Sequence, residues 1–294
     1  MAHRFSYQAF LDQDRYIFLQ DITYSTYREF VKVLLDNNPV VVNFFIENII
    51  KDCYVKSNFD FDIKRLTIID KLLILLMIKS YSIGSDVDLE VTCSETGKVF
   101  RCNVNCNDVV IALLQSEIIN THSIETGKLC IDMALPTTFE PYTKSNILNH
   151  CIKSIKYKNE VISNESLDGL PVTVLSSVNS FIQDQNKLLS NTPIFTYKSP
   201  FVKDAPQQKI SLSLFDDSFI SVIKLFFDAD LLDLYETEYL LIKHHNFNEE
   251  LFQSKTPAEI HAFISIIEKY QAENKQDTNV NVPGMAIPPE FENE

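Results

Sequence analysis

The chain has 294 residues, 45% of them hydrophobic, with 21 Phe and 12 Tyr but no Trp. That apolar mass is enough for sizeable cores and excludes a wholly disordered chain. A net charge of −14 repels phosphate backbones and anionic headgroups, which speaks against nucleic acid and membrane surfaces as partners; the most apolar run, Leu72 to Ile78, lies between Lys71 and Lys79, far short of the ~20 residues of a bilayer span.

Residues 1–24 read as irregular or weakly extended, with Tyr16, Phe18 and Leu19 as strand contacts. The polar, charged start MAHRFSYQAFLDQDR reads as that of a cytosolic chain without a leader, so reduced thiols are expected. Thr26 and Glu29 have capping-box spacing, and Phe30, Val31, Leu34 and Leu35 follow at helical intervals. Asn38-Pro39 opens a second helix with an apolar face of Val42, Phe45, Ile46, Ile49 and Ile50, the proline standing where its missing donor costs nothing. Thr67 and Asp70 repeat the capping logic ahead of Leu72, Leu73, Leu75, Leu76 and Met77. This helix is apolar nearly all round and is expected to be central, with Gly84 ending it.

The period then changes to two. Val87, Leu89, Val91 and Cys93 alternate with Asp88, Glu90 and Thr92; a turn at 94–97 leads back through Phe100, Cys102 and Val104. A third such run is Leu129, Ile131, Met133 and Leu135, stopped by Pro136. Helical spacing returns with Ile147, Leu148, Cys151, Ile152 and Ile155. After a polar loop, Pro171 begins a helix with Val174, Leu175, Val178, Phe181 and Ile182 on one face. A second hairpin is expected from residues 194–198 and 210–214, then helices over 219–227, 231–244 and 257–271. Thr256, Pro257 and Glu259 combine a capping box with an N-terminal proline. Each hairpin is followed by an apolar helix, a faint internal repeat.

The fold class is therefore α+β: mostly helical, with two β-hairpins (a small antiparallel sheet with a third strand) packed among helices. The expected division is an N-terminal helical and hairpin lobe at 1–165, a C-terminal hairpin and helical lobe at 166–272, and an extended or disordered tail at 273–294, which carries three prolines and no periodicity.

Little points to chemistry. Cys93, Cys102 and Cys106 lie close in sequence but form no Cys-x-x-Cys pair, so they read as core cysteines and no metal or other cofactor is expected. His244 and His245 are adjacent and cannot chelate as an i, i+4 pair would; a helix end suits them electrostatically. The paired acids Asp216-Asp217, Asp228/Asp230 and Glu236/Glu238 suit helix starts and polar faces. No phosphate loop, nucleophile elbow or zinc-protease helix is present. Tyr235 and Tyr239, one turn apart beside Leu231, Leu232 and Ile242, fill a core or form a partner-binding face. In the tail, Val282, Pro283, Met285, Ile287 and Phe291 are further partner-binding candidates.

The order of elements carries a resemblance. LTIIDKLLILLMIKSYSIGSDVDLEVTC at 66–93, CIDMALP at 130–136, HCIKSIKYKNEVI at 150–162 and YETEYLLIKHHNFNEELFQSKTPAEIHAFI at 235–264 resemble, in that order, blocks of the T-even-like phage baseplate family of hub subunits and hub assembly proteins of contractile tails. Many of those relatives have a Cys-x-x-Cys-Gly turn in the first hairpin, and some a cysteine turn in the second. Here Thr96 stands in the Cys93–Gly97 turn and the second reads Tyr197-Lys-Ser-Pro200, so the resemblance transfers no metal ligand. It supplies no catalytic residue either and implies a non-enzyme. It implies tail morphogenesis: an assembly chaperone for the baseplate hub in the host cytoplasm, or else a permanent hub or tail-tip component of the virion, with baseplate hub or tail proteins as partners. An enzyme without a known motif is the third reading, and the residues leave oligomeric state open.

Overall fold

A computed structural model describes residues 6–36, 38–93, 95–158, 160–161 and 170–277. Two strands open it. β1 (Ser6–Phe10) and β2 (Tyr16–Gln20) pair antiparallel with Ala9 opposite Ile17. The turn between them is held by Asp12, whose Oδ1 accepts the N–H groups of Asp14 and Arg15 at 2.9 and 2.7 Å. Tyr16, Phe18 and Leu19 are thus in a strand, as expected, and the chain before them is regular β-structure and not irregular. Ala9, Leu11, Ile17 and Leu19 are buried, and the third strand of the sheet, β3 (Tyr54–Ser57), arrives from beyond two helices, a long-range pairing that local pattern does not announce.

α1 (Tyr24–Asp36) starts two residues before the expected Thr26. Thr23 serves as its cap, its hydroxyl accepting the Thr26 N–H at 3.2 Å, while Glu29 pairs with Arg28 instead of closing a capping box. α2 (Pro39–Cys53) begins as expected, Asn38 accepting the Val40 N–H, and buries Val42, Ile46, Ile49 and Ile50. Phe45 stacks on Phe30 at 5.9 Å.

α3 (Ile68–Ser82) carries the reciprocal Thr67–Asp70 capping box and buries nearly its whole circumference. A helix polar on no side must be surrounded, and each fully buried Leu such as Leu72 or Leu75 contributes about 1.5–3 kcal/mol relative to exposure. Two charges go in with it. Asp70 binds Arg15 at 2.9 Å; the Lys71 ammonium donates to Glu47 at 2.8 Å and to the Thr137 carbonyl at 2.6 Å. Buried charges persist only with such partners. At Gly84 φ is +144°, a conformation open to glycine alone, and its N–H closes on the Lys79 carbonyl.

β4 (Asp86–Thr92) and β5 (Val99–Asn105) form the first hairpin, Leu89 facing Cys102. Asn105 caps α4 (Cys106–Gln115), which packs on α3. A four-stranded antiparallel sheet follows in the order β6 (Thr121–Thr126), β7 (Leu129–Ala134), β8 (Ile152–Tyr157), β9 (Glu160–Val161). The third period-two run is therefore β7 of this separate sheet, and the first hairpin stays two-stranded. The helix expected through Ile155 stops early: α5 (Ile147–Cys151) is one turn. The β7–β8 register shifts between Asp132 and Met133, and that bulge lets Ile152 and Ile155 both face the core. A bulged strand thus reproduced a helical spacing.

α6 (Val172–Asn191) buries Val174, Val178, Phe181 and Ile182. β10 (Pro193–Tyr197) and β11 (Gln208–Ser211) make the second hairpin, followed by α7 (Ser218–Phe226), α8 (Leu231–His245), α9 (Glu249–Ser254) and α10 (Pro257–Asp277). α9 was unforeseen, and α10 extends six residues past the expected Gln271. One apolar cluster runs from Ala9 to Phe227. A second is built on Tyr24, Leu241, Phe252 and Ile260, joining α8, α9 and α10 to α1. The class is α+β, with small antiparallel sheets among helices.

Candidate interaction surface

Helix α8 is anchored to the body from one side. Asp230 caps it through the Leu232 N–H. Leu241 is buried, the Leu234 carbonyl accepts the Tyr24 hydroxyl at 2.8 Å, and Glu238 pairs with Arg28. Asn246 ends the helix in the left-handed conformation. Leu232 is 70% exposed, Tyr239 56%, Tyr235 41% and Ile242 39%, and Leu240, elsewhere on the helix, is 43% exposed. With about 100° between successive residues, the first four fall within an arc of about 80°. They form one apolar stripe that runs beside the anchoring side, Ile242 lying about 40° from Glu238 around the helix axis.

The two tyrosines singled out in the sequence are therefore not core residues. The structure brings them together on this stripe and fixes both. The Arg28 guanidinium lies 4.9 Å from the Tyr235 ring centre. The Lys243 ammonium lies 5.1 Å from that of Tyr239 and donates to its hydroxyl at 2.8 Å. Such contacts hold an exposed ring in one orientation and lower the entropy lost on docking. Val282, Pro283, Met285, Ile287 and Phe291 lie outside the described residues.

A second apolar patch went unnoticed in the sequence. Leu35, Val40 and Phe44 are 60%, 78% and 65% exposed at the α1–α2 junction, near a hollow of about 160 Å³ lined by Val31, Leu34, Leu35, Lys224, Phe227 and Ala229. The signal was present: Val40 and Phe44 fall off the face marked by Val42, Ile46 and Ile49.

The polar groups that could carry chemistry are occupied by structure. Among the described residues no three His, Cys, Asp or Glu lie close enough to hold a metal ion. Cys106 and Cys151 are buried, and desolvation pushes their thiols up to about 11 and about 12. Cys93, at the first hairpin's turn, accepts a hydrogen bond from Ser199 beyond β10 at 3.0 Å. That hydroxyl, helped by Thr96, draws its thiol down to about 7. The turns of the two hairpins thus meet through Cys93 and Ser199. A cleft of about 440 Å³ is lined by Leu11, Ile69, Leu73, Asp12, Arg15 and Asn120 among others. There Arg15 binds both Asp12 and Asp70, and Asn120 donates to Asp70. The Asp132 carboxyl is held well below the usual carboxylate range by Lys156, Ser154 and Ser123, a cross-strand clasp on the sheet. No helix among the described residues is long and apolar enough to cross a membrane.

Comparison with known proteins bears on what such a surface serves. The family model described as "T4 bacteriophage base plate protein" matches residues 4–215. No curated protein and no solved structure matches the chain. The matched part takes in both hairpins and the central α3, and stops before α7; the stripe on α8 lies beyond it. The match covers well over half of the chain, which therefore belongs to the T4 bacteriophage base plate protein family.

Proposed function

We propose that this baseplate protein is a non-enzymatic assembly factor that assists construction of the baseplate hub, holding a hub or tail protein in the host cytoplasm and releasing it once its permanent neighbours arrive. The observation that carries this reading is the exposed apolar stripe of Leu232, Tyr235, Tyr239 and Ile242 on a helix outside the family-matched part. Monomeric surfaces seldom keep apolar side chains in register on an outward helix face without a partner. The stripe is also short, and a short interface set in a chain of net charge −14 favours reversible over permanent association.

A second reading is a permanent structural component of the hub or tail tip, which family membership supports equally. Mass spectrometry of purified virions separates the two. Peptides of this chain in hub intermediates but absent from finished particles support the assembly factor; stoichiometric peptides in finished particles establish the structural component.

A further inference from the structure

We propose that the open edge of β4 takes up an extended, basic segment of another polypeptide as an added antiparallel strand. This surface lies in the first hairpin, within the family-matched residues 4–215, and does not depend on the stripe of α8. The register fixes which backbone groups are free. At the turn the Cys93 N–H donates to the Lys98 carbonyl, and at the other end the Cys106 N–H donates to that of Ser85. Both pairs continue the unbroken register in which Leu89 faces Cys102. Bonded and non-bonded positions alternate along an antiparallel pair, so Val87, Leu89 and Val91 bond to β5. Asp86, Asp88, Glu90 and Thr92 therefore turn their N–H and C=O groups the other way. Among the described residues β5 is the one strand bonded to β4 and the one element in extended backbone contact with it. The free edge runs about 20 Å at about 3.4 Å per residue. Such a row of unpaired groups is a template for a further strand. Val87 and Val91, on the inner face, are only half-buried, so apolar side chains of an added strand would cover them.

Charge selects the occupant. Asp86, Asp88 and Glu90 alternate with the inward residues, so they share the outer face, and all three are exposed. Across the hairpin Arg101 pairs with Glu90 at 3.2 Å. Asp88 and Asp86 instead take hydrogen bonds from the neutral amides of Asn103 and Asn105, both at 3.0 Å. The buried Lys79 also acts on Asp86, but its ammonium donates to the Gly84 carbonyl. Three exposed carboxylates thus stand against one exposed guanidinium. Residues directly opposite one another in an antiparallel pair lie on the same face, so Lys or Arg in the added strand would meet these carboxylates in turn. The β4 of a second copy would set carboxylate against carboxylate, which is destabilising. Pairing β4 with the β5 of a second copy would be head-to-tail and would not close.

The test uses the full chain and labelled nine-residue peptides in which Val alternates with Lys or with Glu. Binding is followed by fluorescence anisotropy at 50 and 300 mM salt. The Lys peptide should bind saturably, weaken several-fold at the higher salt, and exceed the Glu peptide at least tenfold in affinity. The lysines lie opposite the outward residues of β4, so their own amides supply the bonds to it. N-methylation of the lysine amides should therefore cost at least tenfold in affinity. N-methylation of the valine amides, which point away from β4, should cost far less. Asp86→Lys/Asp88→Lys should move preference from the Lys peptide toward the Glu peptide. Circular dichroism should show this variant folded, since both side chains are exposed. Equal binding of the Lys and Glu peptides, equal losses from the two methylations, or an unchanged preference in the variant would overturn the proposal. So would self-association of the chain in sedimentation that the Lys peptide reverses, which would make a second copy the occupant. The assay contains no phage component, so its failure is distinct from failure of the assembly-factor reading, which the virion measurement decides.

Discussion

Arg28 of α1 and Glu238 of α8, 210 residues apart in sequence, form an ion pair in which both side chains are less than one-fifth exposed. The same guanidinium lies against the Tyr235 ring, so one side chain both ties α8 to the body and props the stripe. α8, α9 and α10 share with α1 a small core of four buried residues. Their attachment therefore leans on this pair more than the large cluster would.

Glu238→Ala leaves Arg28 half-buried with only Glu29 beside it. The pair lies between a surface bridge and a buried one, and its loss is expected to cost about 2 kcal/mol. The cost should fall locally. Amide hydrogen exchange should accelerate in α8, α9 and α10 while α3 keeps its protection. Arg28→Leu/Glu238→Leu should recover part of the loss, because no charge is left alone. Uniform acceleration in all helices would show that the C-terminal helices do not open as a unit.

The start of α3 supports a second prediction. Asp70 is fully buried; it accepts the Thr67 N–H at 3.0 Å, binds Arg15 at 2.9 Å and takes a bond from Asn120 at 3.3 Å. Thr67→Ala removes one capping acceptor and should cost about 1 kcal/mol. Asp70→Ala removes the other half of the cap and the guanidinium's inner partner, and should cost about 3 kcal/mol. Urea denaturation measures both, and equal losses would contradict the role given to Arg15.

That capping box was legible in the sequence, and so was most of what surrounds it. Asn38-Pro39, the all-apolar α3, the β4–β5 alternation and the Thr256–Glu259 box, whose two reciprocal bonds are 2.9 and 3.1 Å, all rest on neighbours within a turn or a hairpin. What stayed hidden depends on distant partners. β2 pairs locally with β1, but it is central in its sheet only because β3 joins it from beyond α2. Ile152 and Ile155 share a face because β8 is bulged against β7, and the resulting spacing reads as a helix. Thr23 caps α1 in place of Thr26, while the Tyr24 N–H reaches the Lys255 carbonyl at 2.7 Å, a contact no local window contains. For the candidate surface, the tyrosines were visible but their direction was not. Core and interface have the same spacing; only the anchoring of Glu238 and Leu241 turned the stripe outward.

Burial of acidic protons makes the fold sensitive to alkali. The thiols of Cys106 and Cys151 and the phenol of Tyr27 are pushed up to about 11, 12 and 12 by desolvation, and Tyr24 and Tyr142 are raised as well. Groups with folded values above their unfolded ones contribute fully below the unfolded value, about 8.5 for thiols and about 10 for phenols. They lose that contribution as pH rises toward the folded value. Lys71, Lys79 and Lys153, lowered by desolvation, act oppositely and are relieved as pH approaches about 10.5. Stability should therefore decline from about pH 8.5 and fall most steeply above about pH 10.5. Tyr27→Phe should flatten the upper limb by as much as about 1.4 kcal/mol per pH unit. Urea midpoints from pH 7 to 11.5 measure the curve, and a rise across that range would contradict it.

The contact between the two hairpins gives a prediction specific to one thiol. Cys93 closes the first hairpin's turn, its carbonyl accepting the Gly97 N–H at 2.8 Å, while Ser199 donates to its sulfur from the second hairpin. Hydrogen bonds to sulfur favour the thiolate, so Cys93, although only 4% exposed and therefore slow to label, should react with iodoacetamide along a pH profile centred near 7. Cys106 and Cys151 should stay inert until far higher pH. Ser199→Ala removes the larger of the two hydroxyl contributions and leaves that of Thr96. The midpoint should move up toward the ordinary thiol value, and labelling at pH 7 should slow by about three- to tenfold. Peptide-level mass spectrometry resolves the six cysteines. A Cys93 profile that Ser199→Ala leaves in place would mean that the hairpins do not meet through these two residues in solution.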